Sequence, residues 1–182
     1  GKGVFAVRPV REGLTAIAEG LMRLKRTAEL MVDLAYTALL TRSDDIAERV
    51  LELEEYMDKL YEEFEYNIVS ENGLDASEKI GLLHIGIASE YISDAASEIA
   101  AVLLKGLEPH PIIEDVLWES LERISVIEMD HEDHGLSLRE LGYSHMGIQV
   151  LAVRRGDEWF IDPSKDFKVQ EGDVLIVKYY SE

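Results

Sequence analysis

Apolar residues at Leu14, Ile17, Leu21, Leu24, Ala28, Met31, Ala35 and Ala38 step by three and four without a break, the period of one face of an α-helix. Pro9 suits the start of this helix, where a missing N–H costs nothing, and Thr41-Arg42-Ser43-Asp44 closes it and supplies an N-cap for a second. The second helix repeats the rhythm at Ile46, Val50, Leu53, Met57, Leu60 and Phe64 and stops near Asn72-Gly73. A third runs from about Ser77 to Lys105, with Ile85, Ala88, Ile92, Ala95, Ile99 and Val102 as its apolar face, and Gly106 ends it. Three amphipathic helices of roughly 25 residues joined by short connections predict an up-down-up antiparallel bundle.

A shorter helix is expected from about Pro111 to Arg123, with Trp118 and Leu121 to pack and Pro109 and Pro111 as a joint before it. From about Ile124 the period falls to two and β-branched residues and turns become frequent. Strands are predicted at Ile124 to Met129, Gln149 to Arg154, Glu158 to Ile161 and Val174 to Tyr179, with a loop at Asp130 to Gly135 and a short helix at Ser137 to Leu141. Gly156-Asp157 signals a hairpin, and Gly172-Asp173 a turn before the last strand. The fold class is therefore α+β: a helical bundle over 1–108, a connecting helix over 109–123 and a small β-rich α+β domain over 124–182, whose thin core calls for help from a partner chain.

Composition narrows the chemistry. With no cysteine there is no disulfide, no thiolate nucleophile and no cysteine-ligated metal, so a metal would be held by carboxylates, histidines or backbone oxygens. A formal charge of -19 argues against nucleic acid and against direct attraction to anionic lipid. The longest apolar runs, such as Ile80 to Ala88, fall short of a membrane span, and Gly1 to Arg11 shows no signal peptide, so a cytoplasmic location without direct membrane insertion is expected.

The acids are placed in pairs. Glu54 and Asp58 stand four apart on the second helix, and Glu90 and Asp94 on the third, so each pair projects from one face. Glu62 and Glu98 extend them by a turn, and Glu29 with Asp33 forms a third pair on the first helix, where a solvated face is the plain reading. Leu83, Ile87 and Glu90 or Tyr91 lie along one line, so the third-helix acids continue an apolar stripe. Carboxylates converging there from two helices call for a metal cation: Mg²⁺, Ca²⁺ or Mn²⁺ by hardness, with iron or zinc as alternatives. No histidine accompanies them in the Glu-x-x-His arrangement of bundle di-metal enzymes, which disfavours catalysis. Asp130-His131-Glu132-Asp133-His134 is a second metal candidate with a solvated loop as its plain reading, and His84 and His110 stand isolated. Fingerprints for serine hydrolases, phosphate loops and dinucleotide binding are absent.

Two stretches carry a family resemblance. Leu53-Glu54-Glu55-Tyr56-Met57-Asp58-Lys59-Leu60 and Glu90 through Ala100 resemble the second- and third-helix motifs of PhoU-like domains, and Glu29 through Tyr36 is similar to the archaeal branch of that family. The resemblance implies metal binding by Glu54, Asp58, Glu90 and Asp94, though full PhoU proteins carry two three-helix units and this sequence has one. Val150 through Asp157, Ile161-Asp162-Pro163 and Gln170 through Val177 resemble the TrkA-C module, the C-terminal RCK domain. That second resemblance implies dimerisation and a small ligand, cyclic di-AMP in some members, whereas the nucleotide-binding RCK half is missing. Together they imply a homodimeric, non-enzymatic, ligand-sensing regulator peripheral to a membrane cation transporter or channel, with potassium as the expected ion. A PhoU-like phosphate-signalling adaptor is the alternative, and a metal-dependent enzyme the remote third.

Overall fold

The computed structural model of the chain describes residues 14–117 and 123–179. Pro9, the Gly1 to Arg11 segment, Trp118 and Leu121 lie outside them. Helix α1 spans Thr15–Thr41 and ends on Arg42, whose φ of 53° turns the chain back through the left-handed region. Helix α2, Asp44–Ser70, starts on Ser43, whose hydroxyl accepts the Ile46 N–H at 3.2 Å. Helix α3, Ala76–Leu104, opens on a reciprocal cap: Asp75 accepts from Glu78 N–H at 2.8 Å and Glu78 accepts from Asp75 N–H at 3.0 Å. Each helix packs on the other two, as the short connections require.

The apolar face predicted for α2 is the buried one, from Ile46 to Phe64. In α1, Ile17, Leu24, Ala28, Met31, Ala35 and Ala38 are buried as expected, while Leu14 and Leu21 are half-buried. Helix α3 departs from its prediction. Its buried residues are Gly86, Ser89, Ser93, Ala96, Ser97 and Ala100, whereas Ile85, Ala88, Ile92 and Ala95 are exposed and Ile99 and Val102 only half-buried.

The cause is close approach. The Phe64 ring of α2 is wedged between α1 and α3: a Cβ on Gly20 would sit 3.2 Å from it, and one on Gly86 would sit 3.0 Å from it and 2.9 Å from the Tyr61 ring. Only small residues fit where three helices meet this tightly, so the bulky isoleucines turn outward. Ser93 settles inside by donating to the Met31 sulfur at 3.3 Å, and Ser89 by donating to the Ile85 carbonyl at 3.1 Å.

Of the expected fourth helix the described residues hold α4, Ile112–Leu117, and Arg123 opens a strand rather than closing a helix. Strands β1 (Arg123–Glu128), β2 (Ile148–Arg155), β3 (Glu158–Ile161) and β4 (Val174–Tyr179) form one antiparallel sheet in the order β1-β4-β2-β3. Helix α5, Leu138–Leu141, follows Ser137 as N-cap, and an unpredicted 3₁₀ turn covers Tyr143–Met146.

Both faces of the sheet are covered. One, with Ile124, Ala152, Trp159 and Ile176, joins the hydrophobic core of the bundle. The other, with Val153, Leu175 and Val177, packs on Leu138 of α5 and on Met129 and Val169 of the module's own loops. The help predicted from a partner chain is thus supplied in part by α1 and α2 of the same chain. Arg154 Nε lies 3.2 Å from Glu52 and Arg26 lies 3.3 Å from Asp162 across this junction, each pair partly exposed and worth little by itself. Among the described residues no helix is long and apolar enough to cross a membrane.

Candidate functional site

The first gathering of polar side chains lies between α2 and α3. Helix periodicity puts Glu54 and Asp58 on one line of α2 and Glu90 and Asp94 on one line of α3, and adjacent packing brings the lines together. Glu90 is half-buried and hydrogen-bonded to Asp58. Burial first, then that hydrogen bond, then the charges of Asp58, Asp94 and Glu54 raise the Glu90 carboxyl to about 7. Glu90 therefore tends to hold its proton near neutral pH, which lowers the negative charge of the cluster. Glu90 Oε1 is fully enclosed and has no hydrogen-bond partner within the protein. Among the described residues no three acids or histidines converge on one point as a metal site requires, so the four residues meet as a pair with two neighbours.

The acids on α1 behave differently. Glu29 is exposed and bridged to Lys25 at 3.2 Å, as a solvated face would be. The Asp130 to His134 loop is a 3₁₀ turn over His131–Asp133, capped by the Asp130 carboxylate. Its imidazoles tie the loop to the turn before β4: His131 Nδ1 lies 3.2 Å from the Glu171 carboxylate, and His134 Nδ1 accepts the Glu171 N–H at 3.2 Å. His84 and His110 are both exposed.

The second gathering belongs to the C-terminal module, and the edge of β2 creates it. Strand β3 pairs only with Ala152 to Arg155, whereas β4 pairs with β2 from Ile148 to Arg154, so among the described residues the first half of β2 has one edge without a strand. A cavity of about 390 Å³ opens there, within the range of small-molecule sites, lined by Ile148 to Val150, Arg139, Tyr143, Pro163 and Lys165 among others. Exposed backbone groups of an open strand edge can hydrogen-bond a planar base, and Lys165 and Arg139, the latter bridged to Asp166 at 3.2 Å, place cations at the rim for an acidic group. Asp162 borders the same cavity with φ of 51°, a conformation rare outside glycine, and its carboxylate meets Arg26 of α1.

The Gly172-Asp173 turn proves structural. Asp173 is fully buried and holds Arg155 through two hydrogen bonds, from Nε at 2.9 Å and from a terminal nitrogen at 2.8 Å, while accepting the Gln170 N–H at 2.8 Å. Arg155 also stacks 5.3 Å over Phe160 and 5.4 Å over Phe167. Sequence reasoning missed Arg139, Tyr143 and Lys165 because the cavity is assembled from separate segments. The one usable signal was the Ile161-Asp162-Pro163 motif, which borders it.

Comparison with known proteins matches the two halves separately. The PhoU domain family matches residues 21–103 and the TrkA-C domain family matches residues 124–182. No curated protein matches the chain significantly. Among solved structures, a matching chain is the RCK C domain of the potassium transport protein KtrA in complex with cyclic diadenosine monophosphate. It is 24% identical, covers 37% of this chain and 80% of its own, and superposes with a TM-score of 0.31.

Proposed function

We propose that this chain, a PhoU domain followed by a TrkA-C domain, is a homodimeric, non-enzymatic regulatory subunit that senses a small acidic ligand and sets the activity of a membrane cation transporter, with potassium as the ion. The observation that carries the reading is the cavity at the open edge of β2 within the TrkA-C half, where Arg139 and Lys165 offer positive charge in a chain of net charge -19. An open strand edge for a base and two cations for phosphate match a cyclic dinucleotide, and cyclic di-AMP is the first ligand to try. Asp162 lies on the wall of that cavity and pairs with Arg26, which gives occupancy a path to the bundle.

Calorimetric titration of the full chain with cyclic di-AMP is the test, with AMP and ATP as comparisons. Binding that weakens at least tenfold in Arg139→Ala with Lys165→Ala supports the reading, and no heat with any of the three nucleotides sinks it. The PhoU match over residues 21–103 favours a second reading, a phosphate-signalling adaptor. Affinity capture separates the two: a cation transporter supports the first, a phosphate transporter or its sensor kinase the second.

A further inference from the structure

The outward face of α3 is laid out as a helix-pairing seam. Gly81, Ile85, Ala88, Ile92, Ala95, Ile99 and Val102 follow one another by alternating steps of four and three, the 3.5-residue period of a coiled-coil seam rather than the 3.6 of an isolated helix. None of the seven is charged. Small residues (Gly81, Ala88, Ala95) recur every seven positions, and isoleucines (Ile85, Ile92, Ile99) recur every seven between them. Gly81, Ile85, Ala88, Ile92 and Ala95 are exposed, Ile85 by 49% and Ile92 by 45%. Beside the seam a groove of about 640 Å³ separates α3 from α1, walled by Leu21, Val32, Ile85 and Ile92. At its lip the Lys25–Glu29 pair is internally neutralised, and Asp33 is the remaining charged residue of its wall.

We infer that this seam is where a second copy of the chain docks, α3 running antiparallel to the partner's α3. The inference rests on the homodimer part of the proposed function and not on its ligand. In an antiparallel pair the two seam positions alternate across the interface, so Gly81 faces Ile99 of the partner subunit, Ile85 faces the partner's Ala95, and Ala88 faces the partner's Ile92. Each contact sets a small residue against a large one, and the small residues let the backbones approach closely. A parallel pair would set isoleucine on isoleucine and leave gaps between the small residues.

Charge selects the same surface. Two chains of net charge -19 repel each other over most approaches, and an uncharged stripe is where that repulsion is least. The acids Glu90 and Asp94 sit on the other flank of α3, against Asp58 of α2. The area comes close to what is needed: Gly81 to Val102 spans about 33 Å, and helix plus groove are about 20 Å wide, a footprint of about 660 Å². A stable interface takes roughly 800 Å² from each partner, so the seam supplies most of one.

The chain has no cysteine, so engineered pairs report cleanly. Full-length Ala88→Cys and Ile92→Cys chains, separately tagged, are mixed and mildly oxidised, with Tyr66→Cys on exposed α2 as the control. The expected result is a covalent heterodimer at least tenfold more abundant than the product of Ala88→Cys alone, with none from the control. Ala88→Glu should raise the cross-linkable dimer's dissociation constant at least tenfold while leaving the helical circular dichroism unchanged. No cross-link from chains that light scattering still finds dimeric overturns the seam and spares the homodimer reading. Monomers throughout overturn both. Stronger cross-linking of Ala88→Cys to itself overturns the antiparallel register, and an intrachain link between Ala88→Cys and Val7→Cys assigns the seam to the chain's own amino-terminal segment.

Discussion

In the C-terminal module the sheet turns Ile124, Ala152 and Ile176 to the bundle and Val153, Leu175 and Val177 to its own loops, so that both faces are buried. In the bundle, α3 does the reverse: Ser89 and Ser93 go inside while Ile85 and Ile92 face solvent. The difference lies in what each half has to satisfy. A sheet with two apolar faces closes its core within one chain, because a helical layer on one side and loops on the other suffice. A three-helix bundle pinched around Phe64 takes small residues along the middle of its third helix, with Leu82, Leu83, Ile99 and Leu103 packing at the margin of the core, and leaves Ile85 and Ile92 for another surface. Apolar periodicity reports that a face is to be buried, not by what.

The largest effect that would break this comparison falls on the module. Asp173→Asn leaves Arg155 without its carboxylate and should cost about 3 kcal/mol, since removing one partner of a buried ion pair strands the other. Urea denaturation followed by tryptophan fluorescence reads it, and an unmoved midpoint would mean the module is not held at that turn. In the bundle the counterpart is Gly86→Ala, whose new methyl meets the Tyr61 and Phe64 rings and should cost about 1–3 kcal/mol by overpacking. Ala88→Ser, two residues away on the exposed face, should stay within about 0.5 kcal/mol. Equal losses at 86 and 88 would remove the distinction between an inner and an outer face of α3.

A smaller effect concerns the carboxylates. The Glu90 carboxyl is raised from its ordinary 4.5 to about 7, so between those values the folded protein holds a proton that the unfolded chain has lost. Its stabilising contribution is therefore complete below about 4.5 and disappears as the pH rises through 7. The melting temperature of the native protein should fall between pH 5 and 7.5 by roughly 2–4 °C more than that of Glu90→Gln. Parallel profiles would show that the Glu90 proton contributes nothing.

The sequence made some of this legible. The face of α2 from Ile46 to Phe64 is readable because its polar positions are strongly charged and leave one choice of side. Helix α3 is uncharged over most of its surface, so two arcs compete, and the contact of Gly86 with Phe64, a tertiary fact, decides between them. The meeting of Glu90 with Asp58 follows from matching four-residue spacings on neighbouring helices. No such rule reaches the cavity at the edge of β2: Arg139, Ile148 and Lys165 come from three segments, and the short β3 that leaves the edge open is a matter of pairing register. The Gly172-Asp173 signature was visible as a motif but its meaning was not, because the partner of Asp173 lies on another strand at Arg155.

The claim that the TrkA-C half carries the sensing site is tested most directly by amide hydrogen exchange on the full chain with and without saturating cyclic di-AMP. The account predicts slowed exchange at Ile148 to Val150, around Tyr143 and at Lys165, with a smaller change in α1 near Arg26. Slowing confined to α2 and α3, or none in residues 124–179, would contradict it.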